Sequence, residues 1–121
     1  MTRILFVCLG NICRSPMAEM IMKHLSLEAG TADRFVIDSA ALSDEERGNP
    51  VYPPARAELA RRGIPCVPHR ARQLTEEDYN RYDLLIGMEE YHVKRMRSLF
   101  SGDPKGKVHL LLSFTQSPGD I

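Results

Sequence analysis

The sequence carries no surplus of charge of either sign: sixteen Lys and Arg are matched by sixteen Asp and Glu. A protein that grips nucleic acid through its backbone needs a cationic excess to displace counterions, so no nucleic-acid partner is expected. Nor is there an apolar run near the roughly 20 residues that cross a bilayer. After Met1-Thr2-Arg3 comes only Ile4-Leu5-Phe6-Val7-Cys8-Leu9, too short for most secretory signals and without a small-residue cleavage site, so neither export nor a membrane partner is expected. Cysteine is scarce. Cys8, Cys13 and Cys66 form an odd set with no CxxC pair, which argues against a disulfide framework and a structural zinc site. The redox setting therefore reads as cytoplasmic, and cysteine chemistry as catalytic. Repeats and low-complexity stretches are absent. With 43% hydrophobic and 26% charged residues, the 121 residues read as a single globular domain over 1–121.

Short apolar runs alternate with helical patterns along the chain. Ile4–Val7 suits a strand buried on both faces, and Phe35–Ile37, Leu84–Ile86 and Val108–Leu112 read as three more strands. Ser15-Pro16 reads as an N-cap followed by proline at the first helical position, with Ala18, Ile21, Met22 and Leu25 at helical spacing and Gly30 as the stop. Ser39 to Pro53 reads as a long loop, and Pro54 to Arg62 as a short helix closed by Gly63. A further helix starts at Leu74–Tyr79, with Thr75 as its cap, Asp78 reaching back and Leu74 stapling to Tyr79. Glu89 to Phe100 places Val93, Met96 and Phe100 on one face, and Gly102-Asp103-Pro104 breaks it. This alternation predicts an α/β fold with a parallel sheet, right-handed crossovers and helices on both faces. Ligands bind such sheets outside the carboxyl ends of the strands, and Cys8 stands at the carboxyl end of the first.

The segment Cys8-Leu9-Gly10-Asn11-Ile12-Cys13-Arg14-Ser15 joins that strand to the first helix. A cysteine, five residues, an arginine and a serine make an anion cradle: the backbone N–H groups of Leu9, Gly10, Asn11, Ile12, Cys13 and Arg14 can turn inward as a nest. The helix adds its positive end, and Arg14 a planar fork for two oxygens. Gly10 and Asn11 both tolerate positive φ. The same positive groups favour a thiolate at Cys8, the form that attacks phosphorus. In a chain of this composition, chance supplies about 0.02 such matches. The site calls for no metal and no cofactor, and the Walker pattern is absent. Cys13 reads as a redox partner for Cys8, able to form a disulfide that protects it from irreversible oxidation, with packing in the first turn of the helix as the alternative. Cys66 reads as packing.

Val7-Cys8-Leu9-Gly10-Asn11-Ile12-Cys13-Arg14-Ser15-Pro16-Met17-Ala18-Glu19 closely resembles the signature of the low-molecular-weight protein tyrosine phosphatases. The resemblance continues through Asp38-Ser39-Ala40-Ala41, Gly63-Ile64-Pro65, His69-Arg70-Ala71-Arg72-Gln73-Leu74 and Asp83-Leu84-Leu85-Ile86-Gly87-Met88. It implies a four-stranded parallel sheet in the order 2-1-3-4 and metal-free hydrolysis through a cysteinyl phosphate. By the match, Cys8 is the nucleophile, Arg14 holds the phosphate and the transition state, and Ser15 assists Cys8 as leaving group. Asn11, Ser39 and His69, with Ser15, support the loop. The implied partners are phosphotyrosine-containing proteins or peptides, with phosphate or a similar oxyanion in the loop.

Two departures stand out. Where the family places an aromatic residue beside the substrate ring, this sequence has Glu45, and Tyr52 on the same loop is the other substrate-flanking candidate. The family's general acid lies in an Asp-Pro loop after strand four, followed by a last helix. The sequence stops at Pro118-Gly119-Asp120-Ile121, just before that position, so neither is expected within it. Asp103-Pro104 is on the wrong edge of the sheet to serve, which leaves Asp120 as the alternative acid. The competing readings are a phosphate-binding module without efficient turnover, an arsenate reductase, which needs further cysteines than Cys66, and a phosphoarginine phosphatase, which carries threonine where Ile12 stands.

Overall fold

The computed structural model describes residues 1–121, and at its centre lies strand β1 (Thr2–Cys8). Side chains on a strand alternate between faces. Leu5 and Val7 therefore enter one buried cluster, with Ala40, Leu85, Val93 and Met96, while Ile4, Phe6 and Cys8 enter another, with Ile37, Ile86 and Met88. A strand buried on both faces must be apolar throughout, which accounts for Ile4–Val7. β1 pairs in parallel with β2 (Phe35–Ala41) on one side and β3 (Leu84–Gly87) on the other, and β3 pairs in parallel with β4 (Val108–Leu110). The order is β2-β1-β3-β4, the one the resemblance implied. The chain crosses from one side of β1 to the other, so the crevice opens at the carboxyl end of β1, where Cys8 sits.

Helices cover both faces. α1 (Arg14–Glu28) lays Ala18 and Met22 on the face that holds Cys8. α2 (Pro53–Arg61) packs beside it. α3 (Asp78–Arg81) and α4 (Glu90–Leu99) cover the opposite face through Tyr79, Val93 and Met96. α1 and α2 both end in the double hydrogen bond of a Schellman motif: Thr31 N–H to Ser26 O with Gly30 N–H to Leu27 O, and Ile64 N–H to Leu59 O with Gly63 N–H to Ala60 O, Gly30 and Gly63 standing at positive φ as that motif demands. No helix is long and apolar enough to cross a membrane.

The structure departs from the sequence reading at the ends of elements. Helix α1 starts at Arg14 with Cys13 in the cap position, and no side chain caps it. Ser15 is therefore not the N-cap; it is a buried residue of the first turn whose hydroxyl points at Cys8 and Asn11. Pro16 still lies in that turn, where its missing N–H costs nothing. Strand β2 runs on to Ala41, so Ser39 belongs to the sheet and not to the following loop. Strand β4 ends at Leu110, and Leu111–Phe114 coil into a 3₁₀ turn. There the hydroxyls of Ser113 and Thr115 bond the carbonyls of Leu110 and Leu112, local partners that compete with the ladder of an edge strand. Thr75 does not cap a helix directly: Asp78 reaches back to its N–H and hydroxyl, as expected, but this closes a turn that precedes the four-residue α3.

Candidate active site

The loop from Cys8 to Ser15 closes on itself around the Cys8 sulfur. The Asn11 N–H donates to Sγ at 3.3 Å, and the Ser15 hydroxyl lies 3.0 Å from it. Asn11 is wholly buried, at φ 60°, a conformation few non-glycine residues adopt. Its side chain holds it there: Nδ2 donates to Ser15 Oγ at 2.8 Å, and Oδ1 accepts the Arg72 N–H at 3.2 Å.

The outer rim of the loop is tied down by its carbonyls. Cys8 O accepts from Leu42 N–H, Leu9 O from the N–H and hydroxyl of Ser43, Ile12 O from Tyr52 N–H, and Asn11 O from His69 Nε2–H at 2.7 Å. In a trans peptide the next N–H points opposite to the carbonyl, so N–H groups are turned to the inner side. Those of Leu9, Gly10, Ile12, Cys13, Arg14 and Ser15 find no acceptor within the protein. Such a set, at the positive end of a 15-residue helix, is a cradle for an oxyanion.

Behind the loop runs a buried relay. The Ser39 hydroxyl donates to Glu19 Oε1, and that oxygen lies 4.0 Å from Nδ1 of the same His69. Ser39 thus supports the loop at second hand, through Glu19 and His69. Glu19 is 6% exposed and also meets Lys23, which balances its charge. The sequence reading had not singled out Glu19; a carboxylate on the sheet-facing side of a helix was the available signal.

Arg14 leans across the mouth. Its Nη1 donates to Glu89 Oε2 at 2.7 Å and to Ile121 O at 3.0 Å, while Nε and Nη2 have no partner in the protein. The hydrogen bond from Arg14 holds the Glu89 carboxyl below its usual range, against partial burial. Glu89 was missed as well, although Glu89-x-x-His92 has the spacing of a capping box and forms one at the start of α4.

Glu45 is exposed and its side chain makes no hydrogen bond; the neighbouring Glu46 is the one that packs on the loop, its Cγ 3.4 Å from where a Cβ on Gly10 would stand. Tyr52 is half exposed and binds the loop through its backbone N–H. Asp103 lies at the amino edge of β4, away from Cys8, and accepts from Tyr79 OH, Lys107 N–H and Val108 N–H. Asp120 lies at the carboxyl edge, where Oδ1 accepts the Glu90 N–H at 2.8 Å. Cys13, half-buried, heads α1, and all three cysteines are free.

Residues 3–120 match the family model of the low molecular weight phosphotyrosine protein phosphatases. The chain belongs to that family. It is 39% identical over 113 residues to the human low molecular weight phosphotyrosine protein phosphatase, covering 92% of this chain and 71% of the human one. It is 35% identical over 116 residues to the low molecular weight protein-tyrosine-phosphatase YfkJ of Bacillus subtilis, covering 96% of this chain and 74% of the other. The crystal structure of YfkJ superposes with a TM-score of 0.96 over the whole of this chain and 77% of that one, at 34% identity. A protein tyrosine phosphatase from Entamoeba histolytica, crystallised with Hepes in its active site, superposes with a TM-score of 0.90 at 26% identity, over 98% of this chain and 76% of that one. The phosphatase fold of these relatives is thus the fold described above.

Proposed function

We propose that residues 1–121 form one phosphatase domain that hydrolyses phosphotyrosine in proteins or peptides. The observation that carries the reading is the Cys8 sulfur at the base of a loop whose free N–H groups face inward. A phosphoryl group in the cradle has its three equatorial oxygens on those N–H groups and on Nε and Nη2 of Arg14. Its phosphorus then lies over Sγ. The Cys8 thiolate attacks in line, the P–O bond to the tyrosine oxygen breaks with both electrons going to that oxygen, and a proton drawn from solvent water completes the free phenol. Water attacks the resulting S–phosphocysteine; the electrons of the P–S bond return to sulfur, and the Ser15 hydroxyl at 3.0 Å stabilises the departing thiolate. Asn11, His69, Glu19 and Ser39 hold the loop in shape.

Glu46 together with Glu45 and Tyr52 forms the rim that a peptide substrate meets. Cys13 is the proposed disulfide partner that shields oxidised Cys8, and three free cysteines suit a cytoplasmic setting. Cys8→Ser tests the core of this reading. The variant is expected to lose turnover of aryl phosphates while still binding tungstate or phosphate, because the cradle and Arg14 remain. Turnover retained in Cys8→Ser overturns the assignment of the nucleophile.

A further inference from the structure

His92 is buried, 1% exposed, and the mechanism above does not use it. Its Nδ1 accepts two backbone N–H groups, those of Met88 at 3.2 Å and Glu89 at 3.3 Å. In return the Glu89 side chain accepts the His92 N–H, which closes the capping box, and its Oε2 holds Arg14 Nη1. Helix α4 packs closely on the sheet at this residue. His92 Cβ lies against β3, only 2.9 Å from where a Cβ on Gly87 would stand. An imidazole that accepts at Nδ1 is neutral, with its proton on Nε2; imidazolium carries N–H on both nitrogens and accepts nothing.

We propose that His92 is a positioning residue for Arg14: through Nδ1 it fixes the Met88–Glu89 backbone, and with it the carboxylate that holds the guanidinium, and it lets go when protonated. This rests on the reading of Arg14 as the oxyanion clamp. The charged groups around the ring are Arg14 from α1, Glu89 at the head of its own helix and Asp120 from the C-terminal segment. Tyr91, 6.2 Å away ring to ring, is the other titratable neighbour, while β3 presents only Gly87. Burial, aided by Arg14 and opposed by Glu89 and Asp120, pushes the imidazole below its usual value. The accepting form is therefore the resident one at neutral pH, and release comes on the acid side of the ordinary histidine range, near 6.5.

The test compares the full chain as wild type, His92→Ala and His92→Asn. The Asn carboxamide oxygen supplies a similarly placed acceptor that does not titrate. Two readouts are taken between pH 4.5 and 8: kcat and KM for p-nitrophenyl phosphate, and the Kd of tungstate by calorimetry. At neutral pH, His92→Ala is expected to weaken tungstate binding and lower kcat by about tenfold, the scale of losing one buried acceptor, and His92→Asn to stay within about twofold of wild type. The wild-type to His92→Asn ratio of kcat/KM cancels substrate ionisation and is expected to fall as pH drops below the histidine range. An unchanged tungstate Kd in His92→Ala, or a ratio flat down to pH 4.5, overturns the proposal. If His92→Ala does not fold, the His92→Asn ratio decides alone. A wild type that binds tungstate but turns over no aryl phosphate counts against the phosphatase reading, and the tungstate series still decides the role of His92.

Discussion

Arg14 is asked to do two things at once, and only a guanidinium can. One edge holds Glu89 and the carbonyl of Ile121, which leaves the other free for an oxyanion. A lysine has a single point charge and would have to choose between them. Arg14→Lys is therefore expected to lower kcat/KM for aryl phosphates by roughly 10- to 100-fold, the loss of one charge-assisted hydrogen bond to the transferring group. A change under about threefold would show that Arg14 is not the clamp. This residue was legible in the sequence because the Cys-x5-Arg-Ser spacing leaves one geometry in which cysteine and arginine share a bound anion. Glu19, Glu89 and Arg72 were not. Each acts through a partner far along the chain: Glu89 meets Arg14 across 75 residues, and the Arg72 N–H meets Asn11 across 61. Periodicity says where a side chain faces on its own helix, and nothing about what another strand end brings to meet it.

At the level of the elements, the parallel sheet followed from the alternation of strand and helix patterns, and the doubly buried β1 from its unbroken apolar run. What the pattern could not give were the ends. Whether Ser15 caps a helix or serves a cysteine depends on a side chain seven residues back. Whether Leu111 continues β4 depends on a neighbour that only one side of an edge strand supplies. Helix α4 approaches β3 closely at Gly87. A Cβ there would stand 2.9 Å from His92 Cβ and 3.3 Å from both Met96 Cε and Val93 Cγ2. Met96 Cε can swing aside, but the contact with His92 Cβ cannot be relieved by a side-chain rotation, so the helix must shift. Gly87→Ala is expected to destabilise the protein by about 1–3 kcal/mol in urea unfolding. Because the shift falls on the first turn of α4, the Kd for tungstate should rise as well; an Ala variant as stable as wild type would show that the helix has slack at this contact.

Seen over the whole molecule, the cradle is a long-range object. Its carbonyls are tied by Ser43, Tyr52 and His69, and its one left-handed residue by Arg72, so segments from 34 to 61 residues away must arrive before the loop has its shape. The ends of a chain region that far apart close late, after the local helices and the first strand pairs have formed. This has a kinetic consequence. An oxyanion recognises only the finished cradle, so it leaves the folding transition state untouched and deepens the native basin alone. Tungstate at about a hundred times its Kd should slow unfolding in urea by about 100-fold and leave the refolding rate unchanged, as followed by stopped-flow circular dichroism. If it instead speeds refolding, the loop assembles early and its distant ties come after it. On the late-assembly account, the bound anion acts as a latch on a domain whose architecture is already in place, and a cell rich in phosphate keeps this chain folded by slowing its escape.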